Sequence, residues 1–248
     1  MNHFFITPGQ INKNEITVTG NDFRHIKNVL RMKIGEEAAF SDGVDAVEYR
    51  GIITDFGDDT VCFELIYTQE INHELPAKVY LFQSLPKADK MELIIQKAVE
   101  LGVYKIIPVA AARSIVRLDE KKALAKVKRW QGISEAAAKQ CKRGIIPIVC
   151  EVMSFNQAIN FAAAMDVKII PYEMADDIGN TKNIIGSLKP GQTVAIFIGP
   201  EGGFSSQEID LAIKTGISPI TMGKRILRTE TAALVILSWI MYQLEQQA

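Results

Sequence analysis

Two stretches of this chain combine residue types that ordinary turns do not need. Ile198-Gly199-Pro200-Glu201-Gly202-Gly203-Phe204 sets three glycines beside a proline and a carboxylate, directly after the very apolar run Thr193 to Ile198. Glycine reaches left-handed backbone dihedrals and lets main-chain amides approach a ligand closely. In open α/β sheets ligands sit outside the carboxyl ends of strands, so this loop reads as one wall of a pocket. A tight strand-to-helix turn is the plainer reading, and one glycine would serve it. The second stretch runs from Met222 through Gly223 to Ala232 and holds Lys224, Arg225 and Arg228 within five residues. Thr229 is a natural helix cap and Glu230 suits the positive end of a helix, but neither role calls for the cations. They suit a phosphate, or a negative charge that develops during a reaction.

A third group lies near the start. In a helix spanning roughly Asp22 to Met32, capped by Asn21 or Asp22, the residues Arg24, Lys27 and Arg31 fall at i, i+3 and i+7. Phe23, Ile26, Val29 and Leu30 share the other side. The basic stripe fits a phosphate-contacting surface, and an ordinary solvated face explains it equally well.

What is missing narrows the chemistry. The chain has no G-x-x-x-x-G-K-[ST] loop, no G-x-G-x-x-G turn, no H-E-x-x-H and no G-x-S-x-G. Nucleotide hydrolases, Rossmann dehydrogenases, zinc proteases and serine hydrolases of the common kinds are thereby set aside. Cys62, Cys141 and Cys150 are far apart, and His3, His25 and His73 show no ligand spacing. Reduced thiols, a cytoplasmic location and no metal are the expectations. With 48% apolar and 23% charged residues the composition is that of a globular chain. The longest apolar candidate, Ala232 to Met241, falls short of a membrane span and contains Ser238. Met1 to Phe5 does not resemble a signal peptide. The net charge of -1 conceals an imbalance: residues 1–70 hold six Lys/Arg against twelve Asp/Glu, whereas Lys78 to Arg143 holds fifteen against six. The basic segment is either a solvated helix face or a contact for a polyanion such as nucleic acid.

The elements that must position these groups fall into two sets. Short strands at Glu15 to Thr19, Ala38 to Phe40, Val47 to Ile53 and Val61 to Tyr67 are expected to form a small β-barrel over residues 1–70. A polar stretch from Gln69 to Pro76 marks the boundary. Over residues 76–248 strands alternate with helices, the signature of an α/β domain with a mostly parallel sheet. Strands are expected at Val79 to Ser84, Tyr104 to Val109, Ile146 to Cys150, Val167 to Pro171, Thr193 to Ile198 and Ser218 to Met222. Helices are expected at Lys87 to Leu101, Asp119 to Lys142, Phe155 to Ala164, Thr181 to Leu188, Ser206 to Thr215 and Thr229 to Gln246. The helix from Ser206 is announced by the capping box Ser205-Ser206-Gln207-Glu208.

Gly199-Pro200-Glu201-Gly202-Gly203-Phe204 followed by Gly223-Lys224-Arg225-Ile226-Leu227-Arg228-Thr229-Glu230-Thr231-Ala232 resembles the paired motifs of SPOUT-class methyltransferases. More narrowly, the chain is similar to the ribosomal RNA small subunit methyltransferase E family, whose members methylate N3 of a uridine in 16S rRNA. Phe4-Phe5, His25 with Val29-Leu30-Arg31, and Asp42-Gly43 resemble its N-terminal PUA-like, RNA-binding domain. Gln83 to Lys87, Lys90-Met91-Glu92, Gln96-Lys97 and Glu100 to Val103 resemble the opening of its catalytic domain. Ser134-Glu135-Ala136, Gln140 and Arg143 resemble a motif of its middle helix, and Lys139 stands where that pattern has an acidic residue.

The resemblance implies a SPOUT-type trefoil-knotted α/β domain that binds S-adenosylmethionine, acts on uridine 1498 of 16S rRNA in the small ribosomal subunit, and works as a homodimer. It implies that the cofactor rests on three loops: Pro171, Tyr172 and Glu173; Ile198, Gly199, Pro200, Glu201, Gly202 and Gly203; and Met222, Gly223, Ile226, Leu227 and Arg228, with Thr231 beyond. The apolar helix Ala232 to Tyr242 suits a dimer interface, or packing within one chain. Uridine N3 carries a proton on its pairing edge, so methylation needs an unpaired base and loss of that proton. Arg228 is the expected stabiliser of the uracil anion, and Glu201 or Glu230 the acceptor of the proton. Lys87, Arg143 and His25 join Arg24, Lys27 and Arg31 as expected RNA contacts. A ribose 2′-O-methyltransferase and a non-catalytic RNA-binding assembly factor are the competing readings.

Overall fold

Ile16 and Val18 alternate with Glu15, Thr17 and Thr19, which puts both apolar side chains on one face of a strand. The computed structural model describes residues 1–71, 73–175 and 177–247. By internal contacts the chain forms two units, Met1–Glu74 with Ala138–Ile146, and Leu75–Ala137 with Pro147–Ala248.

The first unit contains β1 (His3–Phe5), β2 (Ile11–Asn12), β3 (Glu15–Thr19), α1 (Gly20–Arg24), β4 (Glu37–Ser41), β5 (Val47–Phe56) and β6 (Thr60–Glu70). Its sheet has the order β1-β4-β5-β6-β3-β2, antiparallel except for β1 on β4. Phe4 from one end and Ile16 from near the other share a core with Phe40, Ile53 and Phe63. The sheet therefore curls around its own apolar face, as expected of a PUA-like fold. Residues Ala138–Ile146 belong here because Gly43 bridges Ile145 and because Lys139 reaches Asp22 at 3.0 Å. The expected boundary at Gln69 to Pro76 includes Asn72, which lies outside the described residues.

The helix after β3 departs from expectation. It begins at Gly20 with Thr19 as its cap residue, and from His25 to Leu30 it is a π-helix that ends on Arg31 in the left-handed region at φ 54°. A wider turn rotates successive side chains by a smaller angle. Val29, expected on the apolar side, is consequently 66% exposed, while Phe23 and Ile26 remain buried.

The second unit contains β7 (Lys78–Ser84), α2 (Lys90–Glu100), β8 (Lys105–Ala110), α3 (Glu120–Cys141), β9 (Ile148–Val149), β10 (Met153–Ser154), α4 (Phe155–Ala162), β11 (Val167–Pro171), α5 (Ile178–Gly186), β12 (Thr193–Ile198), α6 (Ser206–Lys214), β13 (Ser218–Ile220) and α7 (Thr229–Glu245). The last turn of α3 counts with the first unit. Every strand pairing in the second sheet is parallel, in the order β10-β8-β7-β12-β11-β13 with β9 also on β8. A strand covered on both faces can be apolar throughout, and central β12 is: Val194, Ala195, Ile196 and Phe197 are all fully buried. Phe82 stacks on Phe197 at 4.4 Å between ring centroids. The capping box at Ser205 and Glu208 forms as expected. The helix expected from Lys87 begins three residues later, because Ala88 sits at φ 54° and Lys87 belongs to a loop.

Candidate active site

A parallel sheet delivers all its carboxyl-end loops to one edge. Here β12, β11 and β13 are neighbours, so the loops after them lie side by side. The loop after β11 is tied to the end of β13 by the Tyr172 N–H donating to the Ile220 carbonyl at 3.0 Å. Pro171 closes β11, and Glu173 is exposed. Buried Thr181 on α5 fixes the start of the loop after β13: its hydroxyl donates to the Thr221 carbonyl at 3.0 Å and accepts from the Thr221 N–H at 3.1 Å.

The loop after β12 turns at Pro200, whose carbonyl accepts from the Gly203 N–H at 2.9 Å. Gly203 has φ 66° and Gly223, in the loop after β13, has φ 101°; at neither does an atom of the described residues, beyond the glycine and its two chain neighbours, lie within 4 Å of where a Cβ would stand. These are backbone positions that present their main chain to open space, which fits a ligand cradled by backbone groups. Gly202 differs, because a Cβ there meets the Cβ of Arg113 at 3.4 Å, and the Arg113 guanidinium donates to the Gly202 carbonyl at 3.1 Å. Arg113 thus braces the glycine loop. Ile198 and Pro200 are buried and Gly199 is half-buried; Met222 and Leu227 are half-buried, Ile226 is 87% exposed, and Thr231 is exposed on the first turn of α7.

Thr229 does not cap α7. The cap residue is Arg228, without a side-chain cap bond. The Thr229 hydroxyl instead donates to the Gly199 carbonyl at 2.6 Å and accepts from the Gln83 side-chain amide at 2.9 Å. A buried relay from β7 through α7 to the loop after β12 is the result. Its signal was available in the sequence: an amide inside the apolar strand VYLFQS must find a partner when buried.

Arg228 is exposed, and among the described residues its guanidinium has no ion-pair or hydrogen-bond partner. Glu201 and Glu230 both meet Lys90, at 2.9 and 3.4 Å. The main-chain N–H of Lys87 also donates to Glu201 at 3.1 Å. Burial alone would raise the Glu201 pKa; hydrogen bonds from Lys90 and from the main chain outweigh it and hold the carboxyl below its ordinary value.

In the first unit Arg24, His25, Lys27 and Arg31 are all exposed. The Lys27 ammonium lies 5.0 Å from the centre of the Phe23 ring. Lys139 joins this surface, 5.1 Å from the Phe4 ring and paired with Asp22. Arg143 is a correction. It is 3% exposed and its guanidinium grips both oxygens of Glu74, so it is an internal ion pair with no face left for RNA. Lys87 is exposed in the second unit. Among the described residues no group of three His, Cys, Asp or Glu is placed to hold a metal ion, and no helix is long and apolar enough to cross a membrane.

Comparison with known proteins places this geometry in a family. Residues 73–241 match the RNA methyltransferase domain and residues 18–66 the RNA methyltransferase PUA domain. The ribosomal RNA small subunit methyltransferase E of Bacillus subtilis is 40% identical over 235 residues, covering 92% of this chain and 90% of that protein. The chain belongs to the ribosomal RNA small subunit methyltransferase E family. The family member of Synechocystis is 32% identical over 97% of this chain and 77% of its own length. The crystal structure of the family member from Neisseria gonorrhoeae bound to S-adenosyl methionine superposes with a TM-score of 0.85 at 30% identity, covering 98% and 97% of the two chains.

Proposed function

We propose that this chain transfers the methyl group of S-adenosylmethionine to N3 of one uridine, U1498, in 16S rRNA of the small ribosomal subunit. S-adenosylmethionine-dependent rRNA methylation follows from the family and from its cofactor-bound relative. The observation that carries the finer reading is the pairing of two outward-facing glycine backbones with the guanidinium of Arg228, unpartnered among the described residues and five residues beyond Gly223. The residues of the three loops, Pro171 to Glu173, Ile198 to Gly203 and Met222 to Arg228 with Thr231, would hold the cofactor largely through main-chain groups. When bound, the cofactor supplies an electrophilic methyl on a sulfonium. Arg228 offers a planar fork of donors to the carbonyl oxygens over which the charge of a deprotonated uracil spreads. Glu201 Oε1 already accepts from the Lys90 ammonium and the Lys87 N–H, whereas Glu230 meets only Lys90 among the described residues, which leaves Glu230 the less committed acceptor for the N3 proton. Glu230→Gln should therefore slow single-turnover methyl transfer far more than Glu201→Gln.

RNA is held, in this reading, by Arg24, His25, Lys27 and Arg31 of the first unit and by Lys87 of the second. Neutralising Arg24, Lys27 and Arg31 together should weaken RNA binding, with the logarithmic salt slope falling by up to roughly 0.7–0.9 per lost contact. Affinity for S-adenosylmethionine should not move. An unaltered slope returns the stripe to a solvated face. A second copy of the chain would cover the groove of about 660 Å³ lined by Ile178, Trp239 and Tyr242 between α5 and α7; a monomer in sedimentation at micromolar concentration refutes this. The trefoil knot and a cytoplasmic location complete the proposal.

Nucleoside analysis of rRNA from cells lacking the protein decides the reaction. Loss of 3-methyluridine is expected, restored by the wild-type gene. Loss of a ribose 2′-O-methyl mark instead selects that chemistry, and unchanged marks with defective subunits select an assembly factor.

A further inference from the structure

Lys90 opens α2 in the second unit, and its side chain is 28% exposed. It stands between two acidic side chains of separate origin. Glu201 comes from the loop after β12, and Glu230 from the first turn of α7, two residues beyond Arg228. The side chains of these carboxylates are 26% and 16% exposed. Glu230 Oε2 is buried without a hydrogen bond among the described residues, so the ammonium at 3.4 Å is its compensation. A carboxylate out of water without a counter-charge is costly. Two carboxylates reaching for one nitrogen are also close enough to repel once that nitrogen is gone.

We infer that Lys90 is a positioning residue for the methyl-transfer reaction: one ammonium locks the glycine loop to the start of α7 and so sets where Arg228 stands relative to the cofactor loop. The inference rests on the reading of this site as a methyltransferase centre. Three observations converge on it. Lys90 spans the loop after β12 and the first turn of α7, which α6 and β13 separate along the chain. The Lys87 N–H, three residues away, donates to the same Glu201 oxygen. The buried Gln83–Thr229–Gly199 relay links the same loop and helix start. Around the ammonium, α2 contributes no competing acid, since Glu92 pairs with Arg129. Glu201 and Glu230 are the groups that face it, and their hydrogen bonds and charges raise the Lys90 pKa.

The sign of the pH effect follows. With Lys90 present the Glu201 carboxyl stays ionised to lower pH. With it removed, the like-charged pair raises the pKa of one of them, and the loops lose their geometry at higher pH than before. Lys90→Met should bind S-adenosylmethionine about tenfold more weakly at pH 7.5, and the acid limb of binding against pH should move up by about one unit. Lys90→Arg should recover most of both. The double variant Lys90→Met/Glu230→Gln should bind the cofactor better than Lys90→Met alone, because no uncompensated pair remains. Calorimetry across pH 5–9 on full-length protein gives all three. Affinity within twofold of wild type and an unmoved acid limb in folded Lys90→Met overturn the inference. Should Lys90→Met fail to fold, a double variant that also fails, or binds no better than background, overturns it as well. Wild-type protein that binds no S-adenosylmethionine would instead overturn the methyltransferase reading itself.

Discussion

Arg228→Ala is expected to lower the single-turnover rate of methyl transfer by about 10²-fold or more at saturating RNA and cofactor. That is the scale for losing one preorganised donor to a developing anion. The residue is exposed and caps α7 through its backbone conformation alone, with no side-chain bond to the helix or to a neighbouring acid among the described residues. Its removal should therefore leave the melting temperature and cofactor affinity close to wild type. Arg228→Lys should recover little, since an ammonium cannot reproduce a planar fork. A rate within a few-fold of wild type in the alanine variant would remove Arg228 from the chemistry.

Gly223→Val should abolish most cofactor binding while sparing the fold. At φ 101° a β-branched residue is a true outlier. Forcing one there costs on the order of 1–3 kcal/mol, roughly tenfold or more in affinity if the loop must keep this backbone to bind. Open space around the missing Cβ means the loss cannot be blamed on a clash inside the protein. Gly202→Ala is the contrasting control: its new methyl would rest on Arg113 at ordinary contact distance, 3.4 Å. Calorimetry with S-adenosylmethionine checks both. Equal affinity for Gly223→Val and wild type would take this loop out of the cofactor site.

Much of this was legible in the chain because burial patterns and caps depend on near neighbours. The apolar run of β12 reads as a strand of a mostly parallel sheet, and the folded chain puts it in the interior of that sheet, between β7 and β11. The spacing Ser205 to Glu208 is a local device and formed as written. The glycines and cations of the two loops marked the carboxyl edge of that sheet before any topology was known. Other features depended on the tertiary structure. Thr229 reads as a cap from its neighbours, yet its hydroxyl is taken by Gly199 from a loop thirty residues earlier. Arg143 looked available for RNA, but Glu74, 69 residues away, buries its charge. Val29 faces outward because the helix widens into a π-helix, which a 3.6-residue period does not anticipate. Lys90 belongs to a family-like motif, but nothing in its own surroundings points to Glu201 or Glu230. Its partners lie 111 and 140 residues further along the chain. They meet it because β7 pairs with β12 while α2 packs on α7, and the sheet order that brings those elements together is a property of the folded chain.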